Sequence, residues 1–121
     1  MNPPMMNLPK YVPPATTVRA LIAQHARTQP DAVFAMFPET QAELSYKALE
    51  QEVQQYAAQF YALGLAQGDT VSYMMGNGRS ALVLFLSALY AGLIVSPLNP
   101  AAGPEQITYV LQHSDTKLVF V

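Results

Sequence analysis

The chain has 121 residues, enough for one domain of common size that buries about two thirds of its unfolded surface. Hydrophobic residues make up 51% and charged residues only 12%, against about 25% charged in an average domain, so its apolar faces are expected to meet something else. A formal net charge of -2 without any run of Lys and Arg argues against a nucleic-acid partner, and zero Cys excludes a disulfide framework, a thiolate zinc site and a cysteine nucleophile.

Prolines at 3, 4, 9, 13 and 14 predict an extended Pro-rich arm over residues 1–16. The first ten residues have neither a basic start nor a continuous apolar stretch, so they do not read as a secretory signal, and a cytoplasmic location is expected. Residues 17–121 are expected to form one α/β segment. Thr17 is an N-cap for a first helix reaching about Gln29, with Val18, Leu21, Ile22, His25 and Ala26 on one face and Pro30 as its stop. Residues 32–37 read as a strand, residues 38–41 as a turn, and residues 42–44 as the returning arm of a hairpin.

Ser45 then caps a second helix, in which Leu49, Val53, Tyr56, Ala57, Phe60 and Gly64 recur at helical spacing; Gly64 suits its left-handed C-terminal position. Gly68 and Asp69 turn the chain into a strand over residues 70–75. The third helix, from Ser80 to about Ala91, is apolar all round and should be sandwiched rather than laid on the surface. A strand over residues 93–96 follows. Ala102 or Gly103 opens a fourth helix with Pro104 in its first turn, Ile107, Val110 and Leu111 facing inward, and His113 and Ser114 at its end. Residues 117–121 form the last strand. The order predicts an α/β fold: a mostly parallel sheet with helices on both faces and right-handed crossovers.

Ligands of such sheets bind beyond the carboxyl ends of the strands. Val121 is the last residue, so the loop that would follow the last strand is missing and the sheet is expected to be an incomplete portion of a larger domain.

No charge falls between Ser80 and Gly103, and residues 81–98 approach the roughly 18 apolar residues of a membrane span. Gly92, Ser96, Pro97, Asn99 and Pro100 divide that run, so a buried helix followed by a buried strand accounts for it better, and no membrane span is expected.

Gly76-Asn77-Gly78-Arg79-Ser80-Ala81, between a strand and a helix, matches the dinucleotide fingerprint with Ala in last place. That fingerprint also needs an acidic residue about 20 positions on to hold the ribose hydroxyl. No Asp or Glu occurs from Thr70 to Pro104, so a turn with Ser80 as N-cap is the preferred reading; the alternative is a weak nucleotide site with Arg79 near a phosphate. His25 reads as a core or boundary residue and His113 as a complement to the helix dipole, and neither has a partner at metal-ligand spacing. Glu50 and Glu52, two apart, point to different sides of their helix and do not make an acid–base pair. Asp69 shapes its turn, and no Ser sits in a nucleophile elbow. No catalytic, cofactor-binding or metal-binding residue is assigned.

The ordered set of small signals has a clear likeness. Gln29-Pro30-Asp31 precedes Leu44-Ser45-Tyr46-Lys47-Ala48-Leu49, then Leu63-Gly64 and Gly68-Asp69-Thr70-Val71, then Asn77. Ala88-Leu89-Tyr90-Ala91-Gly92, Pro97-Leu98-Asn99-Pro100, Glu105-Gln106-Ile107 and Leu111-Gln112-His113-Ser114 complete it. From Thr17 to Val121 the pattern resembles the N-terminal part of the adenylate-forming (AMP-dependent synthetase/ligase) superfamily, which includes acyl-CoA synthetases, firefly-luciferase-like enzymes and peptide-synthetase adenylation domains. It departs at Ala48, where the family often carries an acidic residue, and at Gly76 and Gly78, where bulkier or polar residues are common. Asn99 stands where peptide-synthetase domains commonly carry Asp, so the chain looks more like the acyl-CoA ligase branch. A start only a few residues before the likeness is expected of a free-standing enzyme.

The resemblance implies a full-length ligase that activates a carboxylic acid with ATP and Mg²⁺, passes the acyl group from acyl-adenylate to CoA, and serves fatty acid metabolism. In the family the phosphate loop, the adenine-binding motif and the catalytic lysine lie downstream. The resemblance therefore implies an inactive scaffold fragment that binds none of these cofactors tightly and whose partner is the downstream part of the same enzyme. Two alternatives stand beside it: a free-standing interaction or homo-oligomerisation module, and a weak nucleotide-binding domain through Gly76 to Ser80.

Overall fold

The computed structural model describes residues 17–76 and 78–121; the expected arm over 1–16, and Asn77 of the glycine segment and of the family pattern, lie outside the described residues. The first helix, α1 (Val18–Thr28), starts where Thr17 turns extended and its hydroxyl accepts the Ala20 N–H at 3.0 Å. Its buried face carries Ile22 and Ala26. A hairpin follows, β1 (Val33–Phe37) and β2 (Ala42–Ser45), paired antiparallel with an irregularity between Val33 and Ala35.

Ser45 ends β2 and caps α2 (Tyr46–Ala62): its side chain accepts the Ala48 N–H at 3.1 Å. The far end of α2 is a Schellman turn. Gly64, at φ 90, donates to Tyr61 O at 3.0 Å, and Leu65 donates to Phe60 O at 3.1 Å while the Leu65 and Phe60 side chains both enter the core. The same device closes α3 (Arg79–Tyr90), where Gly92 at φ 81 donates to Leu89 O and Leu93 donates to Ala88 O. Each turn feeds a strand, β3 (Thr70–Tyr73) after the first and β4 (Ile94–Pro97) after the second. The Gly68 N–H bonds to Gly92 O at 2.9 Å, which ties the approaches to the two strands together.

After β4 come α4 (Pro104–His113) and β5 (Thr116–Phe120). The three strands form a parallel sheet in the order β4-β3-β5. The crossovers β3-α3-β4 and β4-α4-β5 run in opposite directions across β3, so right-handed connections put α3 and α4 on opposite faces. The expected α/β class, with a parallel sheet and helices on both faces, is what the chain adopts; the hairpin is a separate two-stranded sheet.

Local boundaries differ from expectation at several element ends: β1 starts at Val33 rather than residue 32, β5 runs Thr116–Phe120 rather than 117–121, and three further differences follow. Ser80 is not the N-cap of α3: the helix begins at Arg79, because Gly78 O already accepts the Leu82 N–H at 3.1 Å, and Gly78 has no side chain to cap with. Strand β3 ends at Tyr73 rather than Met75, although Met74 still donates to Phe120 O at 2.9 Å. Strand β4 runs one residue later, taking in Pro97, which an edge strand tolerates because its missing N–H leaves no ladder bond unmade.

Two apolar clusters make the core. In one, Phe60, Leu65, Val71, Leu84, Ala88 and Leu93 gather between α2, α3 and the sheet; in the other, Ile22, Leu44, Leu49, Val53 and Val83 join α1, the hairpin and α2. Helix α3 touches both, through Leu84 and Ala88 on one side and Val83 on the other, as the expected sandwich requires. Its apolar character is not fully used, however: Ala81, Leu82 and Phe85 line an open groove of about 330 Å³ with Tyr73 and Gly78. Helix α4 turns Ile107, Val110 and Leu111 inward as expected, but none of its residues is buried. Among the described residues, no helix is long and apolar enough to cross a membrane.

Candidate functional site

The place to look for chemistry is the carboxyl edge of the parallel sheet, where β3 and β4 release their loops. The two loops are held together by backbone. Leu98 N–H bonds to Tyr73 O at 2.9 Å, and Met74 N–H to Phe120 O at 2.9 Å, so the ladder persists past the last strand residues. Asn99, just after β4, folds its own loop: its side-chain oxygen accepts the Ala101 N–H at 2.9 Å and its carbonyl accepts the Ala102 N–H at 3.0 Å. Beneath that turn a cavity of about 220 Å³ is lined by Pro97, Leu98, Ala102, Ile107 and Val110 among others. This edge, in residues 73–76 and 97–100, carries no acidic, basic or imidazole side chain.

Arg79, the one cation of the glycine segment, faces α2. Its two terminal nitrogens reach Glu52 Oε1 at 2.9 Å and Oε2 at 2.6 Å, a bidentate pair whose side chains are 46% and 28% exposed. The hydrogen bond to Glu52 raises the Arg79 pKa above its ordinary value, against an opposing cost of burial. A phosphate at this helix end would compete with a carboxylate already seated on the guanidinium. In the sequence Glu52 stands out only as a neighbour of Glu50. Its true partner lies 27 residues away and leaves no local signal.

The remaining candidates do not converge. His25 is half-buried, stacks on Tyr46 at 4.9 Å and pairs its Nδ1 with Gln29 Nε2 at 2.7 Å, at the wall of a largely apolar cavity of about 210 Å³. His113 is exposed, with Nδ1 against Tyr109 O at 2.8 Å and its ring on Tyr109 at 3.9 Å. Asp69 does shape its turn, accepting the Ala66 N–H at 2.9 Å. Among the described residues, no three His, Asp or Glu gather as a metal site.

Sequence reasoning also misses a polar clasp between α1 and the end of α3. Arg19 Nε donates to Tyr90 O at 3.1 Å and Nη2 to the Tyr61 hydroxyl at 3.1 Å, while its guanidinium lies 4.7 Å from the Tyr90 ring centroid. The Tyr61 hydroxyl in turn donates to Ala91 O at 2.7 Å. A cation on the last carbonyls of a helix complements its dipole.

Comparison with known proteins matches this arrangement to one family. The family model described as AMP-binding enzyme matches residues 22–121. The sulfoacetate–CoA ligase of Cupriavidus necator is 38% identical over 104 residues, which are 86% of this chain and 20% of that protein. The uncharacterized protein Rv1549 of Mycobacterium tuberculosis is 31% identical over 104 residues, 86% of this chain and 59% of its own length. Among solved structures, the inhibitor-bound N-terminal domain of FACL13 from Mycobacterium tuberculosis superposes with a TM-score of 0.79 at 25% identity, covering 87% of this chain and 26% of the other. The chain thus spans about a fifth of the ligase and about a quarter of that N-terminal domain. From Ile22 in α1 through the last strand, this chain belongs to the AMP-binding enzyme family and carries part of the N-terminal-domain fold of the adenylate-forming enzymes.

Proposed function

We propose that this chain is a scaffold segment of an AMP-forming acyl-CoA synthetase. The whole enzyme would join a carboxylic acid to ATP as acyl-adenylate, with Mg²⁺ and release of pyrophosphate, and would then pass the acyl group to CoA in the cytoplasm. One observation carries this reading: the family match spans almost all of the chain, yet the matched stretch is only 20% of the sulfoacetate–CoA ligase. In this reading residues 17–121 form one structural segment preceded by an arm over 1–16. The segment's own task is mechanical. The bonds from Leu98 to Tyr73 and from Met74 to Phe120 keep the loops after β3 and β4 in register, and the Asn99 turn fixes where the second of them leaves the sheet. No chemical step is assigned to its residues, in keeping with a carboxyl edge free of acidic, basic and imidazole groups in residues 73–76 and 97–100. The purified chain, given ATP, Mg²⁺ and a panel of acids including sulfoacetate, is expected to give no acid-dependent pyrophosphate exchange. Exchange above the no-acid background would overturn the scaffold reading.

A second reading, an interaction module, is favoured by exposed apolar residues on one sheet face and the helix beside it: Ile94 at 56%, Val119 at 38% and Tyr109 at 60%. In the scaffold reading the rest of the enzyme covers that face; in the second reading another copy of the chain does. The nucleotide-site reading through Gly76 to Ser80 draws no such support, since Arg79 is engaged with Glu52.

A further inference from the structure

We draw no further inference here: the strongest candidate, the groove of about 370 Å³ between the start of α1 and the end of α3, is built around an Arg19 already engaged by Tyr90 O, the Tyr61 hydroxyl and the Tyr90 ring, and nothing in the structure points to a ligand for what remains of it.

Discussion

The two faces of the β4-β3-β5 sheet are built from the same strands and have opposite fates. On the face toward α2 and α3, Val71 and its neighbours Tyr73, Val95, Leu118 and Phe120 pack into the cluster that holds Phe60, Leu84 and Ala88. On the other, alternation presents Thr70, Ser72, Ile94, Ser96 and Val119, and the covering helix α4 buries none of its own residues. A parallel sheet normally has both faces covered. Here one face is a finished core, while the other is a mixture of hydroxyls and half-exposed aliphatics. Its one fully buried polar strand residue, Ser72, is satisfied sideways through Thr116 at 2.8 Å, and Thr116 is bonded on to Ser114 at 2.6 Å. The sheet is therefore packed into a core from one side only, while the second apolar cluster, around Ile22, Leu44, Leu49 and Val53, ties α1 and the hairpin to α2.

That asymmetry can be attacked directly. Truncating the finished face should hurt most: Phe60→Ala removes a side chain that is 1% exposed and packed 5.4 Å from Phe120, and is expected to lower unfolding stability by about 3–5 kcal/mol in urea titration. A loss below about 1 kcal/mol would mean that this face is not the core. On the other face Ser72→Ala should cost about 1 kcal/mol, because the Ser72 hydroxyl is buried but Thr116 keeps Ser114 as a partner. A cost approaching that of Phe60→Ala would put the hydroxyl row, rather than the aromatic cluster, at the centre of stability.

The Arg79–Glu52 pair lies outside both faces, and a double-mutant cycle with Glu52→Gln and Arg79→Gln should give a coupling below about 1 kcal/mol, shrinking with added salt. The raised Arg79 pKa works in the stabilising direction at every pH below the ordinary arginine value and is lost only as strong alkali deprotonates the guanidinium, so the coupling should be flat in Arg79 charge across neutral pH. The smallest effect belongs to the open face. Ile94→Ala and Val119→Ala should each change stability by less than about 0.5 kcal/mol. Light scattering separates the two occupants of that face: a monomer at high concentration fits a surface meant for the rest of the enzyme. Self-association that disappears in the Ile94→Lys, Val119→Lys double variant would favour the interaction module instead.

Much of the fold is legible in the sequence because its punctuation is local. Thr17 and Ser45 cap the helices the sequence assigns them to, Gly64 sits in the left-handed position expected of it, and Asp69 bonds back into its own turn. The cap of α3 reads two residues late because Ser80 looks like a cap, while the first helical carbonyl belongs to Gly78. The candidate site is harder to read. Which way Arg79 turns, and that Arg19 clasps Tyr90 and Tyr61 across 71 and 42 residues, depend on how helices pack, and no short-range pattern encodes that.

The sequence by itself determined the order of helices and strands and the parallel sheet, since these rest on periodicity, caps and turn residues a few positions apart; the family likeness rests instead on an ordered set of motifs from Gln29 to Ser114. Only the tertiary structure decided that the glycine segment's cation is held by a carboxylate, and that one sheet face is closed while the other is left thinly covered. Those outcomes depend on distances between residues far apart in the chain, which packing alone sets.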